Sequence, residues 1–475
     1  MAIGTSQFGS SLSSGTGDAV TGLNLNTYGT RRVFNFGDRI AELAPEQSPF
    51  FVYLSKVAKK ATDDPVFKFL EQRHLWSKRY VMPFAEAAGG DVADGVWYTA
   101  DGSKHFTVKL ESEYDAYGKK VSDAMGSREE PFFVVEGDII RVKCWFLLDG
   151  TGTDTAEGTY NAEVVGVPSG NEVKLKLIDT TVTASTSKIA FERGTDKFPI
   201  VGSAFSEATG APEGWKDKLS DSEGYCQIFK TSIPLFSGSA QATRYRGIAN
   251  EYQRVWQEKL IEHKMDLEHA FLYGVGNKDD LGHRYTHGIV PWIESNSPDN
   301  VFDVAWSGTA AASEYAGNYD GFLTLLEKFY DPTVGNSGDK LVLASRSVLT
   351  WLNKLGADSF INSTAGSSSY KLDVQNVTGN FGHSVSTIDT IYGKLHFVQE
   401  PLFRGIMDDM AVMIDMKNVA YRPLVGNGIN RDTQIKTNIQ ENDIDGRKDM
   451  ILTEAGLEIS VPEVHGMIKF GAGTG

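Results

Sequence analysis

The chain has 475 residues, of which 41% are hydrophobic and 23% charged. That balance is ordinary for a folded globular chain, and the length allows several domains and a sizeable core. The formal net charge of −16 argues against a tight nucleic-acid binder, because an acidic surface repels phosphate.

Residues 1–35 are rich in Gly, Ser, Thr and Asn and hold few apolar side chains. Such a segment does not fold alone, so it is read as a disordered arm or one laid on a neighbour. It has neither the basic start nor the apolar run of a secretory signal. Residues 36–60 change character, with Ile40, Leu43, Phe50, Phe51, Leu54 and Val57 at mostly helix-like spacing. Pro45 and Pro49 divide this stretch into two short helical pieces. With little nearby sequence to pack against, it is expected to dock on something distant or on another subunit.

Residues 61–127 are polar and extended, with Trp76, Tyr80, Trp97, Tyr98, Tyr114 and Tyr117. Lys78–Phe84 and His105–Leu110 read as two arms of a long hairpin around a small, flexible centre. A projecting hairpin is unstable alone, and its aromatics suggest a partner surface. The candidate inter-subunit contacts are therefore Phe50, Phe51, Leu54, Trp76, Tyr80, Phe84, Trp97 and Tyr98.

Residues 128–215 are the clearest β region. Phe132–Leu148, Ala162–Val167, Val173–Ile178 and Ile189–Phe191 read as strands, and Val173–Leu177 alternates lysines outward with aliphatics inward. Short strands at this spacing predict a small sandwich or barrel. Cys144 falls in an alternating run and reads as a buried strand residue. With Cys226 it makes only two cysteines, without CxxC spacing, so no disulfide framework is expected.

The strongest helix spans 246–274. Ile248, Tyr252, Trp256, Leu260, Leu267 and Phe271 lie on one face, and charged residues cover the rest. Its length would be about 40 Å. His263 and His269 sit on this helix beside Glu262, Asp266 and Glu268, and the two histidines read as solvated helix surface. Residues 320–356 predict helix–strand–helix, with a buried strand at Lys340–Ala344 and Gly356 as the second helix's stop. Short strands follow at Ser384–Asp389, Lys394–Gln399 and Met410–Asp415. The tail predicts a hairpin of Thr433–Glu441 and Asp449–Ser460.

No catalytic constellation emerges. Gly274-Val275-Gly276 and Gly426-Asn427-Gly428 lack the third glycine of a dinucleotide fingerprint. Glu441–Gly446 resembles the start of a calcium loop, but Leu452 stands where the bidentate glutamate belongs. His263 and His269 are six residues apart and do not share a helix face, and glycines bracket His283 and His287. No catalytic residue, metal or cofactor is assigned.

The order of elements is peculiar: arm, amphipathic segment, hairpin, β module, one long helix, α/β core, C-terminal hairpin. Local phrases are equally distinctive. Glu42-Leu43-Ala44-Pro45-Glu46-Gln47-Ser48-Pro49-Phe50-Phe51-Val52-Tyr53-Leu54 is similar to the start of a subfamily of phage major head proteins. So are Gln227–Pro234, Leu267–Gly274 and the closing Thr453–Gly466. The chain resembles the Hong Kong 97-like capsid proteins of tailed phages over most of residues 38–470.

That resemblance implies an α+β fold. It has an N-terminal arm (1–60), an extended loop (61–127), an inserted β-barrel or sandwich (128–215) and a peripheral domain with the spine helix (216–280). An axial α/β domain (281–420) and a returning C-terminal hairpin and strand (421–475) complete it. The implied function is a non-enzymatic shell subunit. It forms hexamers and pentamers of an icosahedral or prolate head around dsDNA, without sequence-specific binding and without a membrane. Implied partners are other copies, a scaffolding protein, a portal and a decoration protein. Assembly is expected in the bacterial cytoplasm and residence in the virion. The competing readings are another phage structural part (tail or decoration) and a hydrolase.

Overall fold

The computed structural model describes residues 48–84, 105–122, 127–147, 155–169, 172–178, 188–191, 197–244, 250–306, 313–336, 338–361, 374–378 and 384–471. The chain divides into two compact units. One comprises 1–46, 230–263 and 435–451; the other comprises 47–229, 264–434 and 452–475.

The larger unit is organised round a mixed seven-stranded sheet. Its order is Val301–Val304, Gly466–Phe470, Met410–Ile414, Lys340–Ala344, Lys394–Gln399, Ser384–Asp389, Val374–Thr378. Lys340–Ala344 runs parallel to Lys394–Gln399 and antiparallel to Met410–Ile414. Both central strands are buried along their whole length, as the apolar runs Leu341–Ala344 and Met410–Ile414 require of strands covered on two faces.

Successive side chains then serve two different cores, because strand periodicity is two. Leu341, Leu343, Val412 and Ile414 join the end of the long helix and the helices Pro49–Val57 and Ile289–Asn296. Val342, Ala344, Ala411 and Met413 face the helices Tyr319–Phe329 and Arg346–Ile361. Each fully buried large aliphatic or aromatic contributes about 1.5–3 kcal/mol relative to exposure. Gly356 does not stop the last helix, which continues to Ile361. One glycine costs only about 1 kcal/mol in a helix, and no proline follows to enforce an end.

A second sheet collects Tyr80–Pro83, His105–Glu111, Asp138–Leu147, Thr155–Ser169, Glu172–Leu177, Lys188–Phe191 and Phe198–Ser203. Met82 and Pro83 pair with Glu111 and Leu110, so the expected hairpin arms do meet. They are not a free hairpin, however. Tyr80–Val81 also pairs with Phe198–Pro199, and His105–Lys109 with Glu172–Lys176. Asp138–Leu147 pairs with both Thr155–Ser169 and Phe198–Ser203, so the hydrogen-bonded order returns on itself. Val173, Leu175 and Leu177 are buried while Lys174 and Lys176 are not, as their alternation requires. Cys144 lies in the strand Asp138–Leu147.

In the smaller unit, Ile439 N–H donates to Lys448 O, closing the expected C-terminal hairpin. Tyr252 Oη donates to Asp449, and its ring meets Phe236 edge-on at 5.5 Å. His263, expected on the solvated surface, is buried, with Nδ1 2.8 Å from Thr231 Oγ1. That burial lowers its pKa.

Candidate assembly surfaces

The residues expected to contact a neighbour differ widely in how much of each remains exposed. Helix Pro49–Val57 begins with Pro49 in the first turn, where a missing N–H is tolerated. Phe50 and Leu54 are fully buried and Phe51 nearly so. Phe51 stacks on Phe271 at 6.4 Å and meets Tyr421 edge-on at 5.6 Å. These three residues therefore belong to the subunit's own core, which corrects their reading as contacts for a neighbour. The physical reason is distance in sequence: the helix finds its apolar partners more than 200 residues downstream.

Tyr80 is half-buried, and its hydroxyl lies 3.1 Å from both Glu113 Oε2 and Tyr114 Oη. Lys197 lies 4.6 Å above its ring and 2.9 Å from Glu113. Burial, foremost, raises the Tyr80 phenol well above its ordinary range. This is an internal network rather than an open contact. Phe84 is half-buried, and its N–H donates to Lys109 O. Trp97 and Tyr98 lie outside the described residues.

Trp76 is the predicted contact that stays open. It sits on the short turn Leu75–Lys78 at 66% exposure, with its ring 5.9 Å from that of His74. Other large apolar side chains share its exposure but were not singled out in sequence: Leu70, Val201, Phe205, Leu219 and, at 84%, Leu281. Phe205 and Leu219 bracket Ala204–Leu219, which has no helix or strand and leaves every residue except Trp215 and Asp217 exposed. Its hydrogen bonds include Ala204 N–H to Gly137 O and Lys218 N–H to Ala116 O. It borders a cleft of about 900 Å³ with Phe132, Glu136, Glu163 and Trp215 in its walls. Phe132 and Trp215 meet edge-on at 6.1 Å.

The long helix is observed over Glu251–Tyr273, so at 1.5 Å per residue it is about 35 Å long. Residues 245–249 lie outside the described part. Its predicted stripe is not uniform. Leu267, Phe271 and Leu272 are fully buried, whereas Tyr252, Trp256 and Leu260 are only half-buried. Arg254 bridges Glu251 and Glu258, and Lys259 reaches Glu262 at 2.5 Å. At Gly274 an added Cβ would lie 2.5 Å from the carbonyl oxygens of both Ala270 and Thr286, so only glycine allows this exit.

Glu268 is a residue of this helix that sequence reasoning passed over. It is fully buried, and its Oε1 accepts the Phe50 N–H at 3.0 Å. It thus caps helix Pro49–Val57, whose own N-cap Ser48 makes no side-chain cap bond. Glu400 is also buried, and its Oε1 accepts the Leu402 N–H at 3.1 Å. Burial, then the Glu400 carboxyl, raises the Glu268 pKa; burial raises that of Glu400. Among the described residues, no group of three or more His, Cys, Asp or Glu side chains is placed to hold a metal.

Among solved structures the chain is similar to a chain of Microbacterium phage Oxtober96, at 11% identity and TM-score 0.41, over 95% of this chain and 100% of that one. A chain of Mycobacterium phage Bobi matches at 7% identity and TM-score 0.40, over 95% and 100%. The capsid of Myoviridae phage XM1 matches at 11% identity and TM-score 0.35, over 65% and 83%. Among curated proteins none matches. Residues 15–472 match the family described as SU10 major capsid protein. With nearly the whole chain matched, this protein belongs to the SU10 major capsid protein family and is a structural subunit of a phage head shell.

Proposed function

We propose that copies of this chain form hexamers and pentamers of an icosahedral or prolate head, in a Hong Kong 97-like arrangement. In this reading residues 1–60 are the arm, 61–127 the extended loop and 128–215 an inserted β-barrel. Residues 216–280 are the peripheral domain, 281–420 the axial domain and 421–475 the returning hairpin. The head encloses dsDNA without gripping it, in keeping with the net charge of −16. Assembly takes place in the host cytoplasm with a scaffolding protein. A portal occupies one vertex, and a decoration protein is a further partner.

The observation that carries this reading is the segment Ala204–Leu219, almost wholly exposed and without regular structure, with Phe205 and Leu219 open to solvent. Such a segment leaves its apolar side chains open in an isolated subunit, and in a closed shell neighbours cover them. Each contact can be weak, because one subunit engages several neighbours at once. Trp76 is the contact candidate that this reading keeps.

The test is light scattering with negative-stain imaging of the purified protein, alone and co-expressed with its scaffold. Rings or closed shells are expected. A strict monomer under both conditions sinks the proposal. Deletions of residues 1–35 and 85–96 should each impair assembly; if neither does, those segments are not inter-subunit contacts.

A further inference from the structure

Among the buried polar atoms of the described residues that lack a hydrogen-bond partner are Glu268 Oε2, Glu400 Oε2 and Tyr273 Oη. An unsatisfied buried polar group is costly, more so when charged. The two carboxyls lie within hydrogen-bonding reach of each other. Two carboxylates cannot hydrogen-bond, since neither has a donor; one proton makes the contact possible. The opposite oxygen of each is anchored to backbone. Glu268 Oε1 holds the Phe50 N–H, and Glu400 Oε1 holds the Leu402 N–H. Glu400 is tied to the central sheet through its own N–H, which donates to Ala344 O.

We propose that Glu268 and Glu400 share one proton, and that this proton is a latch holding helix Pro49–Val57 on the core of the subunit. With the proton in place, Glu268 keeps its cap on the helix. Without it, two like charges face each other in an apolar core, and the cheapest relief is withdrawal of Glu268 and loss of the cap.

Among the described residues, no cation is a leading influence on either carboxyl. Burial and the neighbouring carboxyl act on Glu268, and burial acts on Glu400. On the elements packed around the pair, Lys340 is bound to Asp415, Arg422 to Glu458 and Lys469 to Glu294. Tyr421 donates to Asp432. Tyr53 and Lys56 sit on the capped helix itself; Tyr53 is half-buried and Lys56 exposed. Tyr273 is raised by burial and by Glu400, so it stays a neutral donor. Two carboxylates alone make a poor metal site, which favours the proton.

The experiment is hydrogen exchange of the amides in residues 49–57 of the full chain, from about pH 5.5 to about pH 8.5, after correction for intrinsic rates. Wild-type protection is expected to fall with rising pH, by up to about tenfold per pH unit between the ordinary carboxyl range and the pair's raised titration, and to level off above it, as release of one linked proton on opening requires. Glu400→Gln supplies a permanent donor and should keep protection flat across the range. Flat protection in the wild type, or an unchanged slope in Glu400→Gln, overturns the latch. Glu268→Gln, which can also cap and donate, is the second variant should Glu400→Gln fail to fold. The infrared carbonyl band of a buried protonated carboxyl should be present near neutral pH in wild type. Its absence there overturns the shared proton directly.

Discussion

Phe271 is the side chain on which the contact between the long helix and helix Pro49–Val57 most depends. It is fully buried, stacks on Phe51 at 6.4 Å, and meets Phe229 and Tyr421 edge-on at 6.3 and 5.8 Å. Phe271→Ala removes its transfer free energy and leaves a cavity lined by three rings that cannot all collapse into it. The expected cost is about 4 kcal/mol, within the range for buried Phe→Ala. Total stability is typically about 5–15 kcal/mol, so this is a large fraction, and the melting temperature of a chain this long should fall by about 4 °C. Phe271→Leu, which keeps most of the volume, should recover more than half of that loss. The assay is thermal and urea unfolding of the unassembled subunit, with hydrogen exchange of residues 49–57 as the local probe. A cost below about 1 kcal/mol for Phe271→Ala would refute the placement of this ring at the centre of the core.

Lys340 is fully buried and bound to Asp415 at 2.8 Å; Lys340→Met strands that carboxylate and should cost about 3–5 kcal/mol in urea unfolding, whereas Lys340→Met with Asp415→Leu should recover most of it. Gly274→Ala forces a methyl against the two carbonyl oxygens and should destabilise by about 1–3 kcal/mol, read as a lowered melting temperature. Trp76→Ala should change subunit stability by no more than about 0.5 kcal/mol yet reduce shell yield by sedimentation; an unchanged yield removes Trp76 from the interface. His465 is fully buried and its pKa is lowered to about 4, chiefly by burial, with Asp415 and Lys340 also acting on it. The unfolded chain therefore binds the proton first. Stability from this residue is present above about pH 6.5 and is lost as pH falls toward 4, by about 3 kcal/mol. His465→Gln should flatten that acid limb, and an equally steep limb in the variant would show that other groups set it.

Much of the secondary structure was legible because it follows from local periodicity. Lys340–Ala344 reads as a short apolar run and is a strand buried on both faces. Val173–Leu177 alternates and points its lysines away from the core. Pairing was less legible. Val301–Val304 lies parallel to Met467–Phe470, and nothing in either stretch names the other. The hairpin arms around 80 and 110 looked free because their second partners, near 174 and 198, come from a part of the chain that reads as a separate module.

The contact surfaces were the least legible feature, and the reason is physical. An apolar side chain without local partners looks the same in sequence whether its partner is distant in the chain or on another copy. Phe50 and Trp76 carried the same expectation; one is buried against Glu268's helix and the other stands open. Charge was ambiguous in the same way. Glu268 sits among the solvated charges of a long helix, yet it is adjacent to Leu267 and three and four positions before Phe271 and Leu272, on the stripe that turns inward. Helical phase alone could therefore have marked it as a buried carboxylate. What phase could not supply is Glu400, 132 residues later, without which Glu268 is simply a helix cap. Burying a second carboxyl beside the first gains nothing in packing that a leucine would not provide. A pair kept in that position makes the seating of the capped helix depend on a proton, and a fixed apolar contact could not do that.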